Sequence, residues 1–363
     1  MSQNKVVIIG GGIAGLYAAW CLQQRGIPYL LLEANSILGG RISSKPTIDN
    51  TKLAVDLGPT WVWPHQKRIL GLLTQLEVKY FEQYCQGDVL YQMDINQPVR
   101  RTYGSASMLS YRVHGGTQKL IAALTIQLQE QQLKTNHPVT SVSRAADQWL
   151  VMATNDGTEQ PFYADQLLLA LPPRMIVKYL TPHKWLSQPV IDDLSRQQTW
   201  MSAQAKFIAV YKTPFWREAG LAGQAFSQVG PMVEIHDATA CDDGGFALFG
   251  FIGLPVPIRK KLGDINLIRQ CQQQLVTIFG QEALTPQASY LVDWSEQRWI
   301  TTSEDIAESP RHAAFNLHQF QTELSALNVN LVGSEFAQSE AGYIEGALIA
   351  VDKSMQEIMG KIV

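Results

Sequence analysis

Apolar residues along this chain fall into two periods, and the switches between them mark its elements. Residues 5–9, apolar after Lys5, and 29–32 are runs of strand length, as strands buried on both faces require, and the Ala- and Leu-rich stretch between them has helical length. Residues 55–61 predict a short segment and a turn, and residues 66–76 a helix. Residues 77–109 are polar, show no period and read as irregular. A turn at His114-Gly115-Gly116 opens a helix with apolar residues at Leu120, Ile121, Leu124, Ile126 and Leu128, and strands follow around 139–142, 149–153 and 166–171, closed by Pro172-Pro173. In the middle third, residues 206–211, 246–252 and 289–292 predict strands of another sheet, with a glutamine-rich helix near 268–279. Residues 329–332 form a last strand, and Gly342-Tyr343-Ile344-Glu345-Gly346-Ala347 opens a final helix.

Composition narrows the class. The chain has 363 residues, 46% hydrophobic and 17% charged, which fits two globular domains. A formal net charge of −3 with no run of like charges or basic stripe argues against a nucleic-acid partner. Cys21, Cys85, Cys241 and Cys271 form no C-x-x-C pair, so neither a metal site nor a dithiol motif is expected, and they read as reduced thiols. No window approaches 18 uncharged apolar residues, so no membrane span is expected. The apolar start lacks a basic leader and a small-residue cleavage site, which leaves the cytoplasm as the default location. The seven histidines are scattered and read as surface or core residues.

The first apolar strand runs into Gly10-Gly11-Gly12-Ile13-Ala14-Gly15. Glycines at 10, 12 and 15 give a tight strand-to-helix turn and close backbone approach to a pyrophosphate, with the N–H groups of a helix start, at Ile13 and Ala14, aimed at it. Glu33, followed by Ala34, ends the second strand about 20 residues on, where a carboxylate accepts from ribose hydroxyls. A second turn, Gly39-Gly40-Arg41, adds a cation that can neutralise the pyrophosphate. This is a dinucleotide site. The remaining glycines form no second G-x-G-x-x-G after a strand, so electrons are expected from an organic substrate directly, which favours a flavin over a nicotinamide. The return to a strand–glycine–helix unit at the end predicts an α/β, two-domain chain: a Rossmann-like FAD-binding domain (1–76, 110–178 and 326–363) interrupted by a mixed-sheet substrate domain (77–109 and 179–325).

The segments VVIIGGGIAGLYAA, LLEANSILGGRISS, VDLGPTWVWPHQKRI, HGGTQKLIAAL, ALPPR, AKFIAVYKTPFW, ALFGFI and NLVGSEFAQSEAGYIEGALIA, in this order over nearly the whole chain, resemble the flavin-containing amine oxidase family, which includes monoamine and polyamine oxidases. The resemblance implies FAD as cofactor and an oxidoreductase that takes two electrons from a C–N bond, with O2 or another acceptor regenerating the flavin. It implies cofactor contacts from Gly58, Pro59, Thr60, Trp61, Trp294, Gly333, Ser334 and Ile344, main-chain bonds from Val139 to the adenine, and Glu335 near the ribityl chain. The start of the last helix is expected to bring the N–H groups of Tyr343 and Ile344 to the flavin edge that gains charge on reduction. Lys206, at the inner end of an apolar strand, aligns with the family lysine that holds a water against the flavin, and Tyr343 with one wall of an aromatic cage.

The chain departs from the family at 301–304, where monoamine oxidases carry Gly-Gly-Cys-Tyr and this sequence reads Thr301-Thr302-Ser303-Glu304. With Ser303 in place of the flavin-linking cysteine, the FAD is expected to be non-covalent. With Glu304 in place of the second tyrosine, the cage wall is expected to be absent or rebuilt from Trp61 or Trp299. Few residues lie between Leu76 and Gly115, where relatives insert a roof over the substrate cavity, so a more open site is expected. Two other readings stay open: oxidation of a non-amine substrate on the same fold, and a flavin-binding accessory protein that docks a protein partner through exposed Trp61, Trp63 or Trp299.

Overall fold

The computed structural model describes residues 4–48, 52–104, 108–241, 244–309, 311 and 315–362. Its first sheet forms around Asn4–Ile9, which lies parallel between Tyr29–Leu32 and Thr158–Leu169. Alternation along that strand fills both faces. Val6 and Ile8 pack against the helices Ile13–Gln24, Lys67–Gln75, Gln118–Ile126 and Ile344–Ile362, whereas Val7 and Ile9 face the helices Pro173–Tyr179, Gln188–Arg196 and Leu317–Leu327. The three short strands expected near 139–171 are one long meander, Val139–Ala145, Gln148–Asn155 and Thr158–Leu169. The far half of Thr158–Leu169 also pairs in parallel with Val329–Leu331, so the end of the chain returns to the first sheet.

The second sheet has seven strands in the spatial order Ala288–Asp293, Ala205–Val210, Ala247–Ile252, Met232–Asp237, Leu221–Ser227, Asp88–Gln92 and Arg100–Thr102. Only the fifth and sixth run parallel, which makes the sheet mixed. The reading of 77–109 as irregular is therefore wrong. This segment holds Tyr80–Glu82 and the two outer strands of the second sheet, with Val89 and Leu90 in the core and Arg101 paired to Asp88 at 2.5 Å. Runs of five and three residues are too short to show a period. Ile126, expected on a buried helix face, is 81% exposed because the helix ends there.

Strand alternation in Ala205–Val210 decides the placement of the site. Phe207 and Ala209 face the helix Asp264–Phe279, and Ile208 and Val210 face Val55 and Leu57 on the segment that connects to the first sheet. Lys206 shares the parity of Ile208 and Val210 and so points at the same segment.

Candidate active site

A cavity of about 460 Å³ extends from the first glycine turn to the inner face of the second sheet. Gly10 has φ of +107°, and a Cβ on Gly15 would stand 1.9 Å from the Gly10 carbonyl oxygen, so the helix Ile13–Gln24 sits directly on the end of its strand. Its N-cap, Gly12, has no capping side chain, which leaves the first-turn N–H groups facing the cavity at Ile13 and Ala14. The second turn closes on the first: Gly39 N–H donates to Gly11 O at 2.9 Å, and a Cβ on Gly40 would lie 3.1 Å from Gly12 Cα. Glu33, buried, accepts from Gly11 N at 2.6 Å and Asn35 N at 2.8 Å, so its carboxylate is fixed at the cavity edge by main-chain donors. These features fit the adenine and pyrophosphate half of a dinucleotide: a glycine cradle, unused helix donors and an acid at the ribose position.

Gly10, Gly12, Ile13, Ala14, Glu33, Ala34, Gly40, Arg41, Gly58, Pro59, Thr60, Trp61, Val139, Trp294, Gly333, Ser334, Ile344, Lys206 and Tyr343 all line this cavity. Gly15 does not, since it acts by close packing against Gly10. Glu335 does not either. It is fully buried behind the wall and accepts from Arg41 Nη1 at 2.6 Å and Nη2 at 3.1 Å. Arg41 thus reaches the cavity with its charge already paired and its fork held in place. Tyr343 N–H, expected to face the flavin, donates instead to Glu340 O at 3.1 Å, which leaves Ile344 as the first free position of the helix start.

The far end of the cavity is aromatic. The rings of Trp63 and Tyr343 meet at 85° with centroids 5.5 Å apart, and Trp299 packs on Tyr179 at 4.8 Å. A ring that meets Tyr343 is thus Trp63, a residue not among the expected candidates Trp61 and Trp299. Trp63 lies two residues past Trp61 in an extended segment, so a period of two was the signal that could have found it. Burial, with Glu340 beside it, pushes the Tyr343 phenol up and keeps it neutral. Trp61, Trp63 and Trp299 are half-buried in the cavity wall. Ser303 and Glu304 lie outside the cavity, on the short helix Ser303–Ala307 that Thr302 and Asp305 cap. His137, which sequence reasoning missed, lines the cavity beside Glu33, where its main-chain N–H donates to Glu33 O at 2.8 Å.

Lys206 is 2% exposed, and its Nζ donates to Asp56 O at 3.0 Å, Gly58 O at 2.9 Å and Thr60 Oγ1 at 2.7 Å. Phe249 and Phe251 lie beneath it, with Nζ 4.3 Å and 5.6 Å from their centroids. The three contacts tie the ammonium to one segment of protein, residues 56–60. Burial, countered by the Asp56 charge and aided by Arg112, brings its pKa down to about 7. Among the described residues no cluster of His, Cys, Asp and Glu could hold a metal ion, and no helix is long and apolar enough to cross a membrane.

A family model for flavin containing amine oxidoreductases matches residues 85–350, and one for an NAD(P)-binding Rossmann-like domain matches residues 8–76. The chain is 23% identical to a probable flavin-containing monoamine oxidase A of Dictyostelium discoideum, with 98% of both proteins covered. It is 22% identical to putrescine oxidase of Kocuria rosea, covering 99% of this chain and 95% of that protein. Among solved structures, cyclohexylamine oxidase of Brevibacterium oxydans superposes with a TM-score of 0.81 at 18% identity, covering 99% of this chain and 100% of that one. The Dictyostelium alignment spans 465 positions, about a hundred more than this chain has residues, so the relative carries segments with no counterpart here. The glycine cradle, the aromatic end of the same cavity and the family match over most of the chain converge: it belongs to the flavin-containing amine oxidoreductases, and its dinucleotide is FAD.

Proposed function

We propose that this enzyme oxidises the C–N bond of an amine with one basic nitrogen and an apolar body. The observation that carries this reading is the perpendicular Trp63–Tyr343 pair at the aromatic end of the FAD cavity. Two ring faces at right angles make a corner that holds an amine in one orientation and excludes water, and the neutral Tyr343 phenol keeps its face electron-rich. Bound FAD supplies the two-electron acceptor, which O2 or another oxidant restores. Lys206 holds Asp56, Gly58 and Thr60 against the second sheet, and so fixes this wall of the cavity that would hold the FAD.

The charged residues that line the cavity are Glu33, Arg41 and Lys206 among the described residues, and none is a carboxylate at the aromatic end. Glu340, one layer back, is engaged by Gln66 Nε2 at 2.7 Å and His65 Nε2 at 3.3 Å. A second ammonium on the substrate would be buried there without a counter-charge, at a cost of several kcal/mol. Benzylamine is therefore expected to exceed putrescine in kcat/KM by about a hundredfold or more. Steady-state peroxide release with the two amines tests this, and putrescine turning over as well as benzylamine would contradict it.

We also propose that the FAD is held without a covalent link, since none of the four cysteines lines the cavity and Ser303 lies outside it. Acid precipitation is expected to leave the yellow chromophore in the supernatant, and flavin in the washed pellet would contradict this. None of the four cysteines is in a disulfide, which supports a reducing, cytoplasmic setting.

A further inference from the structure

Of the three oxygens around Lys206 Nζ, two are main-chain carbonyls, which only accept, and the third is the Thr60 hydroxyl, which can accept or donate. A charged lysine has three protons for three acceptors. A neutral one has two protons for the carbonyls of Asp56 and Gly58, and its lone pair can take the Thr60 proton. Every group thus keeps its partner in both protonation states, and only the Thr60 hydroxyl turns. Thr60 is 5% exposed and lines the cavity, and its Oγ1 stands 3.5 Å from Gly58 O, a long contact for an O–H···O bond that holds the hydroxyl only weakly. With Lys206 charged, the hydroxyl is free to donate into the cavity. With Lys206 neutral, its lone pairs face the cavity as acceptors.

We propose that Thr60 relays a proton from the bound substrate ammonium to Lys206. The ammonium N–H bond breaks as its proton passes to Thr60 Oγ1. The hydroxyl proton of Thr60 passes in the same step to the Lys206 Nζ lone pair. The products are a neutral amine, whose nitrogen lone pair is free to assist oxidation at the adjacent carbon, and a Lys206 ammonium that donates to the same three oxygens. No other reactant is consumed, and the proton leaves by the reverse path after product release. This rests on the amine reading above.

The surroundings suit a lysine that changes charge near neutrality. Asp56 on Ala54–Asp56 favours the charged form, and buried Arg112 on Tyr111–Val113, 3.5 Å from the Asp56 carboxylate, opposes it. The flanking strands place uncharged residues beside it, Phe249 and Phe251 on one side and Val292 on the other. The balance leaves a pKa of about 7, where a base in water-excluded surroundings is most useful.

The test follows the lysine Cε resonances of the oxidised, FAD-loaded protein labelled with 13C at that carbon, with Lys206 assigned by the signal missing in Lys206→Met. In the wild type the Lys206 signal is expected to titrate near pH 7. In Thr60→Val, which removes one acceptor of the charged form, its proton affinity should fall about tenfold or more, and Thr60→Ser should restore it. In parallel, anaerobic bleaching of the flavin by benzylamine should lose in Thr60→Val the pH limb that tracks Lys206, and regain it in Thr60→Ser. A wild-type Lys206 that does not titrate between pH 5 and 9, a titration unmoved by Thr60→Val, or superimposable bleaching profiles would each overturn the relay. Coupled titration without bleaching by any amine would uphold the Thr60–Lys206 coupling and overturn the amine reading instead.

Discussion

Gly15→Ala is expected to yield a colourless protein. The added methyl would stand 1.9 Å from the Gly10 carbonyl oxygen and 3.1 Å from its carbon, and both are main-chain atoms at the end of a central strand that cannot turn aside. The helix Ile13–Gln24 must lift off the strand, and the N–H groups at Ile13 and Ala14 leave the position that the cradle of Gly10, Gly12 and Gly40 defines. Overpacking of this kind costs about 1–3 kcal/mol or more, and the loss falls on FAD affinity as well as on stability. Gly71→Ala is the control. It lies within Lys67–Gln75 with nothing within 4 Å of the new Cβ, so it should keep its FAD and gain about 0.5–1 kcal/mol from helix propensity. The flavin-to-protein absorbance ratio after purification reads both variants, and a fully yellow Gly15→Ala would contradict the cradle described here.

Lys206→Met should slow amine-dependent flavin reduction by about a hundredfold or more, the range that a positioned proton acceptor supplies. Met keeps the volume in the core but leaves the carbonyls of Asp56 and Gly58 and the Thr60 hydroxyl without their donor. A second readout needs no substrate. Burial lowers the folded-state pKa of Lys206 to about 7, below its value in the unfolded chain. Below pH 7 both states are charged and the full cost of burial is present. As pH rises above 7 the folded form gives up its proton while the unfolded form keeps it, so stability gains with pH up to the unfolded pKa. Denaturant titrations from pH 7 to 10 should show that gain in the wild type and lose it in Lys206→Met. Equal slopes would show that Lys206 is charged throughout.

The dinucleotide half was legible because backbone geometry there demands particular residues. Only glycine tolerates the Gly10 turn and the contact at Gly15, so the spacing is written in the chain. The aromatic end was legible in part. Lys206 and Tyr343 stood out as an ammonium in an apolar strand and a tyrosine at a helix start, but Trp63 is brought to Tyr343 across 280 residues by packing that no local pattern encodes. The Arg41–Glu335 pair was hidden for the same reason, because the two residues stand 294 positions apart. The strands Leu221–Ser227 and Met232–Asp237 escaped because glycine, alanine and polar residues blur their alternation. They become strands because neighbours on both sides pair with them. In Met232–Asp237 the buried Gln274 amide also accepts from Met232 N–H at 2.8 Å, a bond between segments far apart in the chain.

The most direct test of the central claim is an anaerobic absorbance titration of the purified protein with benzylamine, followed by air. The account predicts loss of the oxidised flavin band at about one equivalent, with recovery of the band and release of peroxide once air enters. A yellow protein that stays oxidised against benzylamine and against every other primary, secondary and polyamine offered would contradict it.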